Sequence, residues 1–242
     1  MPRPIATTRG LHLAEPRAAS AFDPIDERVL PFNRRIFIAE KSSIAAATTD
    51  AFGAGGAAAL GGAGVNTNEV EGNYNTYTTG AVAGNRNGVS VGGEATPTIS
   101  QPRWNPTVFW DIKTAADITS QRIFVHLNTG TFAVSTDTPQ ANTVGFRYST
   151  VVPDTNWQAY SRDGATTNLI DTGVAVVADT RYAFMITLAS ASARFYINEA
   201  LVATSTTNLP ADTTSFSAQV VIFTTAAATR AIKWQMTAGV SD

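Results

Sequence analysis

From Thr107 onward the chain alternates. Val108, Trp110 and Ile112 interleave with Phe109, Asp111 and Lys113. A period of two sends successive side chains to opposite faces of a strand. The same period marks Val144-Phe146-Tyr148 and Tyr182-Phe184-Ile186-Leu188, and 121–128 (QRIFVHLN), 217–225 and 230–240 read as further strands. Asp163-Gly164 sits inside 156–174 as a hairpin turn. A second hairpin is read at 193–204, where Ala193, Phe195 and Ile197 share one face against Arg194 and Tyr196. Asn198-Glu199 reverses that chain, and Leu201 and Ala203 lead back. Asn tolerates positive φ, but Glu lacks glycine's freedom, so a turn longer than two residues is expected. Strands at this spacing, with no amphipathic helix between them, predict an all-β antiparallel sandwich.

The first forty residues follow neither strand nor helix periodicity. Pro2, Pro4, Pro16, Pro24 and Pro31 interrupt them, and six arginines alternate with isolated apolar residues. Each proline disfavours helix locally. A flexible tail would be poorer in hydrophobes. Residues 1–40 therefore read as an extended arm that gains order on another surface, either its own domain or a partner's. Phe22, Ile25, Leu30, Phe32, Arg34 and Arg35 are its attachment candidates. Residues 41–242 read as the sandwich domain, with a first strand at 34–43 (RRIFIAEKSS). Within it, 51–66 is a Gly/Ala-rich segment that lacks the spacing of a phosphate-binding loop. Close backbone approach there suggests a homo-oligomer, with a trimer expected.

Charge is sparse: 15% of residues, against about 25% in ordinary soluble domains. The formal net charge of −2 gives no field to recruit nucleic acid. The absence of cysteine excludes disulfides and thiolate metal sites. The N-terminus has no apolar signal region, and no run approaches the roughly 18 apolar residues of a membrane span. Synthesis in a cytoplasm, no membrane partner and no cofactor are the expectations.

The order of pieces over about 100–242 adds a resemblance. An aromatic strand (NTVGFRYST), a Trp strand (NWQAY), the Asp-Gly hairpin, TRYAFMITL, the hairpin ARFYINEALVAT, the loop NLPADTT and RAIKWQMTAGV follow one another. Together they resemble the concanavalin A-like jelly-roll modules of bacteriophage structural proteins. Glu199 departs from that pattern, which usually has Gly after the hairpin Asn. The resemblance implies a jelly roll in a virion protein, made in a host cytoplasm: a capsid decoration or cement protein attached by its arm to the major capsid protein or another virion protein. The alternatives are a trimeric head or tail fibre module binding a host glycan, and a soluble lectin or glycan-active enzyme.

Candidate chemistry is thin. A retaining glycosidase needs two carboxylates about 5 Å apart, and enzymes of this fold carry them as E-x-D-x-E on one strand. Asp111 has only Phe109 and Lys113 at that spacing. His12 falls in the arm, and His126 on a strand reads as a hydrogen-bonded structural residue. The expectation is therefore no catalytic residue and no enzyme. Trp157 and Tyr160 (with Tyr74) are the aromatic candidates for a glycan, set against service as core. Asp154, Asn156 and Asp163 are the oxygen ligands a structural calcium could use, although such residues also build ordinary turns.

Overall fold

A computed structural model describes strand segments at 4–8, 11–14, 35–41, 48–50, 57–59 and 65–69, and then residues 74–92, 99–130 and 136–241. In chain order the strands are β1 (Pro4–Thr8), β2 (Leu11–Ala14), β3 (Arg35–Lys41), β4 (Thr48–Asp50), β5 (Ala57–Ala59), β6 (Val65–Glu69), β7 (Tyr74–Thr78) and β8 (Arg86–Val91). There follow β9 (Thr107–Thr114), β10 (Gln121–Asn128), β11 (Thr143–Ser149), β12 (Asn156–Arg162) and β13 (Thr167–Ala175). The last five are β14 (Arg181–Ala189), β15 (Ser192–Ile197), β16 (Ala200–Ser205), β17 (Ser217–Thr224) and β18 (Ala231–Ser241).

Two antiparallel sheets form the sandwich. One has seven strands in the order β13-β12-β11-β10-β17-β8-β5; the other has nine, in the order β16-β15-β14-β9-β18-β3-β4, with β7 also on β18 and β6 on β7. This is the all-β jelly-roll architecture that the alternation predicts. The foreseen first strand is β3. It pairs with β18 from Ser241↔Arg35 to Met236↔Glu40, so the sheet begins at Arg35, inside the stretch assigned to the arm. Within that stretch β1 and β2 also pair as a hairpin. The Gly/Ala-rich segment supplies β5, which pairs with β8.

One set from each period-two pattern fills the space between the sheets. Val108, Trp110 and Ile112 of β9 face Ile123, Val125, Leu127, Val144 and Phe146, all without exposed surface. Aromatic rings bind the centre. Trp157 packs edge-on against Phe184 at 4.8 Å and Tyr182 at 5.4 Å, and Phe146 meets Phe184 at 4.7 Å. Such pairs add to the area that the rings bury. At the edge where β12 nears β16, Ser161 and Ser205 hydroxyls hydrogen-bond at 2.7 Å and close the sandwich.

The β15–β16 turn differs from expectation. Ile197 pairs with Ala200, and Asn198 and Glu199 have φ of 49° and 70°. The turn is therefore two residues long with positive φ at both. The twist of paired strands selects this turn type, and it prevails over the reluctance of Glu to adopt it.

Candidate functional site

On β8, β17, β10, β11 and β12 the seven-stranded sheet buries most of its outer face as well as its inner one, whereas on β13 Leu169 is 43% exposed. Strand neighbours place residues of that face in cross-strand rows. One row runs Ser90, Gln219, His126, Gly145, Tyr160 and Leu169 across six strands of the sheet. The next carries Val221, Phe124, Arg147 and Gln158. Phe124, Tyr160, Val221 and Phe223 form a small second core here, separate from the one between the sheets.

The described parts of the β10–β11 connection, 129–130 and 136–142, are tied to this face. The connection leaves at Asn128, yet Asp137 reaches Arg122 near the opposite end of β10. The Asp137 carboxylate accepts from Arg122 Nε at 2.7 Å and from the Ser149 hydroxyl, while its carbonyl accepts from Arg147 at 2.7 Å. The Pro139 carbonyl accepts from Arg162 Nη1 at 2.5 Å. At the other end the Gly130 carbonyl accepts from Asn128 and Gln219 at 2.8 and 3.0 Å. These described parts form a strap anchored near both ends of β10. Arginines project from alternate positions of β10, β11 and β12 to hold it.

Beneath the strap, His126 Nδ1 and the Tyr160 hydroxyl are 2.7 Å apart. Gly145 stands between them in the row, and it has no side chain to block the reach. A Cβ there would meet His126 Cβ at 2.3 Å and the Val125 carbonyl oxygen at 2.6 Å. Burial pushes the imidazole down to about 3, against a smaller upward pull from Gln219. It also pushes the Tyr160 phenol up. At neutral pH the pair is an uncharged hydrogen bond in a dry site.

Two carboxylates on this face are driven in opposite directions. For Asp137, burial acts upward, but the Arg122 and Ser149 hydrogen bonds outweigh it and the pKa falls. For Asp154, burial prevails over Arg147 and the pKa rises. Divergent carboxylates are what acid–base chemistry uses. Here, however, both are committed to arginine. Asp154 accepts from Arg147 Nε and Nη2 at 3.2 and 3.1 Å and from the Ser149 amide at 3.0 Å. The cluster does the work of a clamp.

The other candidates are dispersed. Trp157 belongs to the inter-sheet core and Tyr160 to the strapped layer, both with no exposed surface. Neither offers a ring face to a sugar, which corrects the glycan reading of this pair. Tyr74 is buried as well. Asn156 and Asp163 flank opposite ends of β12. Asn156 donates to Asp171 at 3.0 Å, and Asp163 caps the amides of Ala165 and Thr166 at 2.7 Å. Asp163 thus stands at the far end of β12 from Asn156, and among the described residues no group of three His, Asp or Glu side chains able to hold a metal assembles. Asp111 is buried and paired with Arg181. His12 lies on β2, with its side chain outside the description. Phe22, Ile25, Leu30, Phe32 and Arg34 lie outside the described residues, and Arg35 opens β3. Sequence reasoning missed Asp137 and Arg147, which sit in a loop and on the polar side of a strand. Gly145 did carry a signal, since glycine inside a strand pattern marks close backbone approach.

No family model matches the sequence, and no curated protein matches it. Solved structures do. A protein of unknown function from Shewanella oneidensis MR-1 aligns over 86% of this chain and 86% of its own, with 11% identity and a TM-score of 0.61. The Emp46p carbohydrate recognition domain aligns over 76% of this chain and 87% of its own, with 9% identity and a TM-score of 0.52. Trypanosoma rangeli sialidase aligns over 84% of this chain but 30% of its own, with 11% identity and a TM-score of 0.54. These likenesses establish a concanavalin A-like, lectin-type sandwich. They also correct the expectation of no enzyme. The fold is shared with a part of a sialidase, 30% of its length, and a missing glucanase acid pair excludes one mechanism rather than catalysis.

Proposed function

We propose that the chain is a jelly-roll module of a bacteriophage particle, a decoration or cement protein held to the shell through the residues that precede Arg35. The observation that supports this reading best is the strapped sheet. With most of both faces buried on β8, β17, β10, β11 and β12, recognition passes to the remaining surfaces, edges and N-terminal residues of the sandwich. Fold alone does not carry function, and the virion assignment leans on the order of strand motifs over 100–242. Phe22, Ile25, Leu30 and Phe32 bury on the partner, each contributing about 1.5–3 kcal/mol when fully covered.

The test is deletion of residues 1–34, which leaves β3 in the sheet, followed by a melting curve and a particle-binding assay. The expected result is a similar melting temperature and lost binding. Full binding by the truncated chain removes the attachment role. A glycan array probed with the intact chain separates the fibre reading: specific glycan binding without particle binding favours it.

A further inference from the structure

We infer that the outer face of the nine-stranded sheet is an interface on which a second copy of this chain packs. Strand pairing lines up an apolar row across it. Leu201 is opposite Tyr196, Tyr196 opposite Met185, Met185 opposite Phe109, and Phe109 opposite Ala238. Leu201 is 55% exposed, and Tyr196, Met185, Phe109 and Ala238 are half-buried. Their alternate neighbours Phe195, Phe184 and Trp110 fill the core, so the row is not core material left over at an edge. Aromatic residues and Met are the types enriched where proteins meet proteins.

The size is suitable. Five adjacent strands at about 4.8 Å, each about eight residues of 3.4 Å long, give a footprint of roughly 650 Å². A standard interface buries roughly 800 Å² on each partner.

The flanks identify the occupant. In a two-fold pairing whose axis runs along the row, each side of the row in one copy faces the other side in its partner. Arg194 lies two residues to one side of Tyr196, and Glu199, in the turn, lies to the other; both are exposed. Val240 and Met236 flank Ala238 in the same manner, and both are half-buried. Cation then meets carboxylate, and apolar meets apolar. A surface that complements itself in this way fits another copy of itself. The inference stands apart from the virion reading, because it concerns the free protein.

Sedimentation equilibrium of the intact chain, with circular dichroism and melting curves as folding controls, tests it. A dimer is expected, with Met185→Lys monomeric yet folded, melting cooperatively at the temperature the unmodified protein shows when diluted to monomer. Arg194→Glu and Glu199→Arg each weaken association by roughly tenfold through like-charge contact. The double variant restores it, because the pair is exchanged across the axis. Arg194 is exposed, so its replacement leaves the fold intact and keeps the test decisive. A monomer at high micromolar concentration overturns the inference. So does a trimer, or an oligomer indifferent to Met185→Lys, or a double variant no better than the singles.

Discussion

The two sheets treat their outer faces in opposite ways. Both present the second set of a period-two pattern, and both carry aromatic residues there. On the seven-stranded sheet Phe124, Tyr160 and Phe223 have no exposed surface, and arginines pin the described parts of the strap to the same face. On the nine-stranded sheet Phe109, Met185 and Tyr196 keep part of their surface open. Alternation decides which residues leave the core, but the tertiary structure decides whether water reaches them. The strapped face holds polar groups at low dielectric, where every partner counts. The open face carries residues whose replacement the fold tolerates.

The sharpest break in this contrast is Gly145→Ala. The added carbon has no room beside β10, so the strapped face should lose about 3 kcal/mol, at the upper end for overpacking. Denaturant unfolding measures this, and a loss below about 0.5 kcal/mol would show that the row can spread.

Asp137→Ala comes next. It strands Arg122 and Ser149 under the strap, at a cost of about 2 kcal/mol, the scale of a buried group left without its partner. Faster proteolysis within 129–142 than in the unmodified protein should accompany it.

Acid then distinguishes the faces. His126 titrates at 6.5 when unfolded but only near 3 when buried, so the unfolded chain binds the proton first. Stability should fall as pH drops from about 6.5 toward 3, by up to ~1.4 kcal/mol per pH unit. Asp137, with its lowered pKa, adds to the loss as pH passes through its folded value, whereas Asp154, with its raised pKa, opposes it. Melting curves across this range should lose most of that slope in His126→Gln.

The smallest effect belongs to the nine-stranded sheet. In the Met185→Lys background, where no interface contact is at stake, Glu199→Gly relieves a side chain held at φ 70° and should stabilise by about 0.5–1 kcal/mol. A destabilised variant would mean that Glu199 makes contacts worth more than its strain.

Much of the fold was legible because burial follows the pleat. Trp110, Phe146, Phe184 and Phe195 could be assigned to one face from neighbours two residues away, and all four are core. Trp157 reads two ways in the sequence, as a glycan candidate and as core, and only the packed sheets make it core. The turn at Asn198-Glu199 was misjudged because local propensity speaks for the residue, whereas the twist of two paired strands sets its φ. The candidate site was hardly legible at all. Nothing near Asp137 in the chain announces Arg122 or Arg147, since the strap meets them only once the chain has folded.

The sequence by itself determined the two-layer all-β architecture, through a period of two that only strands can satisfy, and it ruled out thiolate chemistry by having no cysteine. The tertiary structure alone decided which outer face is sealed, which carboxylate is held ionised by arginine and which is pushed toward the neutral acid, and that Tyr160 reaches His126 over Gly145. Those outcomes depend on distances between residues far apart in the chain, and hydrogen bonding and desolvation act through distance rather than through order.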